Sequence, residues 1–133
     1  FDFTKQLIKN KKKLVVLGNG KQTKSYLNVK DCIEAIWISL KFFKSKVNII
    51  NLGTNEFCTV KQSANWIAQN MSLKPKFHYL GGKRGWIGDS PFIYLNIKKI
   101  RLLGWKPKFT ISNSITQTVK YLKNNRWVFS KRK

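Results

Sequence analysis

The amino-acid sequence predicts an α/β protein that forms one domain. Short apolar segments alternate along the chain with segments whose apolar residues recur at helical spacing. Hydrophobic residues make up 42% of the chain and aromatic residues 14%, as in globular proteins and unlike disordered basic tails. The length of 133 residues allows one compact domain with a modest core. No repeat, linker or domain boundary interrupts residues 1–133.

The first predicted elements are a helix and two strands. Residues 1–10 have the apolar spacing of a helix. Residues 13–17 form a short apolar strand, which ends at the Gly18-Asn19-Gly20 turn. A second strand at about 24–29 is expected to return from that turn and to complete a hairpin.

A helix and a strand are predicted next. Asp31 opens the helix, and its inward stripe consists of apolar residues at helical spacing: Val29, Ile33, Ile36, Leu40 and Phe43. Residues 47–52 read as a buried strand that Gly53 closes.

The second half of the chain continues the alternation. Thr59 and Gln62 have the spacing of a capping box, which predicts the start of a helix. The apolar stripe of this helix is Val60, Ala64, Ile67 and Met71.

The elements after Pro75 are a strand, a loop and two helices. Residues 76–80 are predicted as the strand, and residues 81–91 as an irregular loop with four glycines. Helices follow at 96–103, which Gly104 ends, and at about 111–125.

The charge raises the possibility of a nucleic-acid partner. Lys and Arg number 27 against 5 acidic residues, a formal net charge of +22. Only four of the basic residues are arginine, the residue that suits bidentate contacts with bases and phosphates, and the lysines are scattered. A stand-alone nucleic-acid-binding module therefore stays as the alternative, with exposed aromatic residues such as Trp86 for stacking.

A metal site and a membrane span are not expected. The chain has two distant cysteines, Cys32 and Cys58, and one histidine, His78, which is too few clustered ligands for zinc. Buried thiols favour a reducing cytoplasm. No segment approaches the length of apolar chain that crosses a bilayer, and no signal peptide is expected. The first residue is Phe1, which suggests a processed chain or a fragment.

Two segments are candidates for ligand binding. In the glycine loop, Arg84 has a planar fork suited to phosphate oxygens, and Asp89 can accept hydrogen bonds from ribose hydroxyls. The alternative is a surface loop whose glycines only serve turns. In the segment after the first turn, Lys24 could reach a phosphate and Tyr26 could contact a ligand. The alternative there is an ordinary hairpin strand that leads into a capped helix.

The order of the motifs resembles a known family. Residues 16–31 are similar to the segment of extended short-chain dehydrogenases in which a Gly-x-Gly turn precedes a Gln, a basic residue, a Tyr and a Val-x-Asp helix start. Residues 48–53, the helix start at Thr59, residues 84–91 and residues 98–107 then follow in the family's order. The chain is therefore identified as similar to NAD-dependent epimerases and dehydratases such as UDP-glucose 4-epimerase.

The resemblance implies the C-terminal, substrate-binding part of that fold. Its expected parts are a small hairpin sheet, one strand of the Rossmann-type sheet and four to five helices. The N-terminal dinucleotide-binding domain is expected to be absent, since the sequence contains no strand-GxxGxxG-helix motif. Two stretches have the family's Tyr-x-x-x-Lys spacing, Tyr26 to Lys30 and Tyr79 to Lys83, but neither lies on a predicted helix, and no catalytic residue is assigned.

The resemblance also implies a sugar-nucleotide site. The first predicted strand, with Val15, Val16 and Leu17, would lie against the base. Lys24 and Arg84 would contact the diphosphate, Asp89 would hold the ribose hydroxyls, and Tyr26 would lie in the same cleft. The chain departs from the family at three of its positions: Lys24 stands for an arginine, Leu17 for an aromatic residue and Asn96 for an aspartate.

The expected function is the nucleotide-sugar-binding portion of an NAD-dependent epimerase or dehydratase, without catalytic activity of its own. Its ligand would be a UDP-, GDP- or dTDP-linked sugar, and its partner the dinucleotide-binding half. NAD would be the cofactor of the parent enzyme, with none bound by this chain alone. A remnant without activity and a subunit that complements a separate chain are further alternatives.

Overall fold

The computed structural model describes residues 1–42, 46–90 and 92–131, which form four short strands and six helices. The strands are β1 (Lys13–Val16), β2 (Thr23–Lys24), β3 (Cys58–Thr59) and β4 (Lys76–Tyr79). The helices are α1 (Asp2–Lys9), α2 (Val29–Phe42), α3 (Val60–Asn70), α4 (Lys98–Leu102), α5 (Ile111–Asn124) and α6 (Val128–Lys131). This alternation confirms the α/β class, with one helix more than the four to five predicted.

The strands pair differently from the predicted hairpin. β1 pairs in parallel with β4, from Lys13 opposite Lys76 to Val16 opposite Tyr79. β2 pairs antiparallel with β3, so that Lys24 lies opposite Cys58. The hairpin prediction for 13–17 and 24–29 was therefore wrong. Pairing continues beyond β1 on the β4 side, because the Leu80 N–H donates to the Val16 carbonyl and Gly18 bridges to Gly81.

Helix α1 closes the other side of β1 with a side chain. The Gln6 amide accepts a hydrogen bond from the Val15 N–H at 3.0 Å and donates one to the Val15 carbonyl at 3.1 Å. These two bonds satisfy both backbone groups of Val15 on the side of β1 where a further strand would otherwise pair. The strand is thereby fixed between α1 and β4.

The first hydrophobic core surrounds β1, α1, α3 and α5. Its buried members are Leu7, Leu14, Val16, Ala64, Ile67, Ala68 and Val119. The predicted capping box is confirmed, since the Thr59 hydroxyl and the Gln62 side chain each accept a hydrogen bond from the other residue's N–H. The inward stripe predicted for α3 is confirmed at Ala64 and Ile67.

The second core lies between α2, α4 and the segment that follows α4. Ala35, Ile97, Ile100 and Trp105 are its buried members. The stripe predicted as the inward face of α2 is instead exposed: Val29 is 68% exposed, Ile33 50%, Ile36 48% and Leu40 67%. Phe43, the fifth predicted member, lies outside the described residues.

Buried Asp31 explains how α2 is rotated. Its carboxylate accepts hydrogen bonds from the N–H groups of Lys108 and Phe109, both at 3.1 Å. Its carbonyl accepts one from the Trp105 indole at 3.2 Å. These bonds turn the side of α2 that contains Asp31 and Ala35 toward the second core, and the predicted stripe therefore faces outward.

The segment 47–52 is not a strand within the described part of the chain, contrary to the prediction. A strand requires a hydrogen-bonded neighbour, and the described residues form no β-ladder with this segment. Its side chains still alternate as in a strand, because Ile50 and Leu52 pack on the second core while Val47 and Ile49 are exposed. The predicted helices at 96–103 and 111–125 are confirmed as α4 and α5.

Candidate functional site

The two segments predicted to bind ligand meet beyond the C-terminal end of β1. Leu17 follows β1, Lys24 ends β2, and Asp89 lies in the glycine loop. A methyl group placed on Gly85 of that loop would lie 3.3 Å from an Asp89 carboxylate oxygen and 3.7 Å from the Leu17 side chain. Residues that are distant in sequence thus form one cluster, and close packing at Gly85 leaves little room for a larger residue.

An ion pair between Lys24 and Asp89 is the centre of this cluster. The Lys24 ammonium donates to the Asp89 Oδ1 and, at 2.7 Å, to the Ser90 carbonyl. The Gly85 N–H donates to the Asp89 Oδ2 at 3.0 Å. The hydrogen bond from Lys24, followed by that from Gly85, lowers the pKa of Asp89 from its ordinary value. Asp89 is therefore charged at neutral pH.

Arg84 lies near the pair without bonding to it. Its guanidinium is exposed and donates to the Ile87 carbonyl of the same loop at 3.3 Å. Its positive charge makes a small further contribution to the lowered pKa of Asp89. The loop therefore keeps Arg84 within electrostatic reach of the cluster, with its charge open to solvent.

Tyr26 lies two residues beyond β2 and connects the cluster with a cavity. Burial is the main cause that raises its pKa, followed by Cys58, while a hydrogen bond with Ser63 lowers it and Asp89 raises it slightly. The Cys58 thiol is itself buried, which raises its pKa to about 11. Tyr26 is thus a neutral phenol at pH 7. It also borders a cavity of about 920 Å³ between α1, α5 and residues 26–30.

The strand residues predicted to lie against the base differ in accessibility. Both backbone groups of Val15 are bonded to Gln6, and the Val16 side chain is fully buried. The Leu17 side chain is half-exposed, and its carbonyl accepts a hydrogen bond from Gln22 at 3.0 Å. Of the three, Leu17 therefore offers the most exposed side chain, while Val15 is partly buried.

Three residues of the cluster were not among the predicted site residues. Gly85 and Ser90 contribute backbone groups, which no side-chain motif reveals. Gln22 is buried under the Gly18 turn, where a methyl group on Gly18 would lie 2.1 Å from its Nε2. Gly18 has φ +75°, which favours glycine in any case. Gln22 lies within the motif of residues 16–31, and this position could have identified it as part of the site.

The described residues contain no group of three His, Cys, Asp or Glu side chains that could hold a metal ion. No helix in the described part of the chain is long and apolar enough to span a membrane.

Comparison with known proteins decides the family. A family model described as GDP-mannose 4,6 dehydratase matches residues 2–118. The chain belongs to this family. The resemblance to NAD-dependent epimerases and dehydratases is thereby confirmed.

The curated relatives of this family member are sugar-nucleotide enzymes by name. A putative UDP-glucose 4-epimerase of Methanocaldococcus jannaschii is 29% identical over 123 residues, which are 92% of this chain and 38% of the relative. The dTDP-D-glucose 4,6-dehydratase of Homo sapiens is 28% identical over 123 residues, 90% of this chain and 35% of the relative. The chain therefore spans well under half the length of these relatives.

Solved structures agree in fold. A crystal structure of UDP-galactose 4-epimerase superposes with a TM-score of 0.78 at 28% identity, and the match covers 95% of this chain and 40% of that one. The epimerase Mth375 of Methanothermobacter thermautotrophicus has a TM-score of 0.80 at 20% identity, over 98% of this chain and 38% of that one. The epimerase fold predicted from the motifs is thus confirmed for the part of it that this chain spans.

Proposed function

We propose that this chain is the sugar-nucleotide-binding portion of an NAD-dependent nucleotide-sugar epimerase or dehydratase and has no catalytic activity by itself. The observation that supports this most is the Lys24–Asp89 cluster. A cation and a carboxylate 65 residues apart in sequence meet at the end of β1, beside an accessible Leu17 and within reach of Arg84. The cations suit the oxygens of a phosphate, and the carboxylate suits the donor hydroxyls of a ribose.

Each predicted residue has a role in this proposal. Asp89 accepts hydrogen bonds from the ribose hydroxyls, since each of its oxygens has one bond from the chain and can accept another. Lys24 and Arg84 contact the diphosphate. The phenol hydroxyl of Tyr26 donates a hydrogen bond to the ligand from the side of the cavity. Leu17 packs against the base in place of an aromatic side chain. Val15 and Val16 support this contact from within β1, because their backbone groups are bonded inside the chain.

We further propose that the described residues do not hold NAD. A dinucleotide diphosphate in this class of fold binds where a glycine turn leads directly into a helix N-terminus. The glycine turn at 18–20 leads into β2 instead. We therefore assign NAD to the parent enzyme, in the part of the relatives' length that this chain does not span, and propose a dinucleotide-binding half as its partner. One structural neighbour is described as UDP-glucuronic acid 4-epimerase in complex with UDP-glucuronic acid and NAD.

Calorimetric titration of the folded chain with UDP, GDP and dTDP at near-physiological salt tests the proposal. We expect saturable binding of one nucleotide and a loss of about tenfold or more in affinity with Asp89→Ala, because a charge-assisted hydrogen bond is removed. Glu34→Ala is the matched control, since it removes an ion-paired carboxylate of the same charge elsewhere on the surface. No binding by a folded sample, or an equal loss in both variants, would contradict the proposal.

A nucleic-acid-binding module is the second candidate, favoured by the net charge of +22 and by exposed Trp86 in the glycine loop. Binding to single-stranded nucleic acid that falls steeply with salt, without preference among the three nucleotides, would support this alternative.

A further inference from the structure

The two groups proposed to contact different parts of one ligand contact each other in the free chain. Lys24 would contact the diphosphate and Asp89 the ribose, but the Lys24 ammonium donates to the Asp89 carboxylate and to the Ser90 carbonyl. An ammonium has three N–H donors, so one remains for a ligand. The positive charge of Lys24 is therefore largely neutralised before any ligand arrives.

Selectivity is a particular problem for this chain. With a net charge of +22, its surface attracts every phosphate-containing anion, including inorganic phosphate and pyrophosphate. An unpaired lysine in the binding site would bind such anions as readily as it binds the diphosphate of a nucleotide. Discrimination must then come from a feature that penalises an anion without a nucleoside.

We propose that Asp89 is a specificity-determining residue that makes the site reject inorganic diphosphate and accept nucleoside diphosphates. An anion without ribose that approaches Lys24 is repelled by the negative charge of Asp89, and it lacks the ribose hydroxyls that could donate hydrogen bonds to Asp89. A nucleoside diphosphate meets the same repulsion, but its ribose hydroxyls donate to the Asp89 oxygens and offset it. This inference rests on the proposed function and adds to it the class of ligand that the site excludes.

The surroundings of Asp89 support this role. Its side chain is 12% exposed, and the Gly85 N–H holds its second oxygen, so the carboxylate cannot turn away from an anion bound at Lys24. The Lys24 side chain is 20% exposed and also bonded to Ser90, which limits its movement toward a ligand away from Asp89. Arg84 also lies near the pair, but it is exposed and donates to the Ile87 carbonyl of its own loop, so Asp89 opposes mainly Lys24.

Asp89→Asn separates the two effects, because the amide keeps the shape of the side chain and removes its charge. Titrations with inorganic pyrophosphate and with whichever of UDP, GDP and dTDP the wild type binds give the two affinities. We expect pyrophosphate to bind about three- to tenfold more tightly to Asp89→Asn, the range for loss of one partly screened charge contact. We expect the nucleotide to bind no more tightly than to the wild type, so that the ratio of the two affinities falls.

Two matched variants show whether the gain belongs to the pair. Glu34→Gln changes the net charge by the same amount at the other ion pair, and we expect it to change pyrophosphate affinity by less than about twofold, because screening weakens distant charges. The double variant Lys24→Met with Asp89→Asn should lose the gain, since no cation is released. Thermal unfolding of each variant shows that the compared samples are folded.

The outcomes separate the two proposals. If the wild type binds none of the three nucleotides, the proposed function fails and this inference fails with it. If the wild type binds a nucleotide but Asp89→Asn leaves pyrophosphate affinity unchanged or lower, the specificity role fails while the proposed function stands. A gain that persists without Lys24, or that Glu34→Gln reproduces, also overturns the specificity role.

Discussion

In the part of the chain that the structure describes, two ion pairs connect segments distant in sequence, and the pairs differ in what surrounds them. Lys24 and Asp89 are 65 residues apart, with side chains 20% and 12% exposed. Lys108 and Glu34 are 74 residues apart, and the Lys108 Nζ lies 2.6 Å from the Glu34 Oε1. Their side chains are 62% and 37% exposed. Sequence separation alone therefore does not distinguish a candidate site from a surface contact. The distinguishing feature is that backbone groups of a glycine loop hold the first pair.

The region around Lys108 and Glu34 depends on a third carboxylate. Asp31 is buried and accepts hydrogen bonds from the N–H groups of Lys108 and Phe109. The exposed pair adds a contact between segments that Asp31 already joins. In the first region no such buried carboxylate exists among the described residues, and the ion pair itself links β2 to the loop.

The largest effect that this comparison predicts is for Asp31. Asp31→Ala leaves two backbone N–H groups without their acceptor in a partly buried place, and we expect the free energy of unfolding to fall by about 2–3 kcal/mol. Urea unfolding followed by tryptophan fluorescence measures it. Asp31→Asn retains one acceptor oxygen and should lose less. An effect of Asp31→Ala no larger than that of Glu34→Ala would contradict this division of roles.

A double-mutant cycle on Lys24 and Asp89 sharpens the comparison. We expect Lys24→Met and Asp89→Asn to couple in unfolding free energy by about 0.5–1 kcal/mol, since the pair is partly exposed and solvent screens it. The measurement is urea unfolding of the two single variants and the double variant. Additive single effects would show that the contact contributes nothing to folding, and would leave the pair with a role in binding alone.

The sequence predicted correctly those features that depend on residues close to each other in the chain. The capping box at Thr59 and the apolar stripe of α3 depend on neighbours in sequence, and both were predicted. The rotation of α2 was not, because it depends on bonds from Asp31 to residues 77 and 78 positions away. Helical periodicity identifies an apolar face but does not say which element covers it.

The candidate site was predictable in its residue types and not in its contacts. The motifs selected Lys24 and Asp89 separately, and nothing in the sequence indicates that they bind each other. The parallel pairing of β1 with β4 brings the glycine loop to the end of β1 and produces that contact. The predicted hairpin would have put β2, and not β4, beside β1. The hairpin prediction therefore gave no indication of the contact between Lys24 and Asp89.

Lowering the pH is expected to break the ion pair between Lys24 and Asp89. Folding lowers the pKa of Asp89, so the stability that its charge contributes is complete above the unfolded pKa of about 3.9 and is lost as pH falls through the lower folded value. The unfolding free energy of the wild type minus that of Asp89→Asn should therefore be constant between pH 7 and 5 and shrink below about pH 4. A difference that instead shrinks as pH rises toward 7 would contradict the assigned cause.

The smallest effect is expected for the Lys108–Glu34 pair. Both side chains are largely in solvent, where an ion pair gains little and restricts two flexible side chains. A double-mutant cycle with Lys108→Met and Glu34→Gln should give a coupling below about 0.5 kcal/mol, and raised salt should weaken it further. The Lys108 backbone N–H remains bonded to Asp31 in both variants, so the segment stays in position whatever the side chain does. A coupling equal to that of Lys24 with Asp89 would mean that exposure does not separate the two pairs, and their difference would then lie only in the loop groups around Asp89.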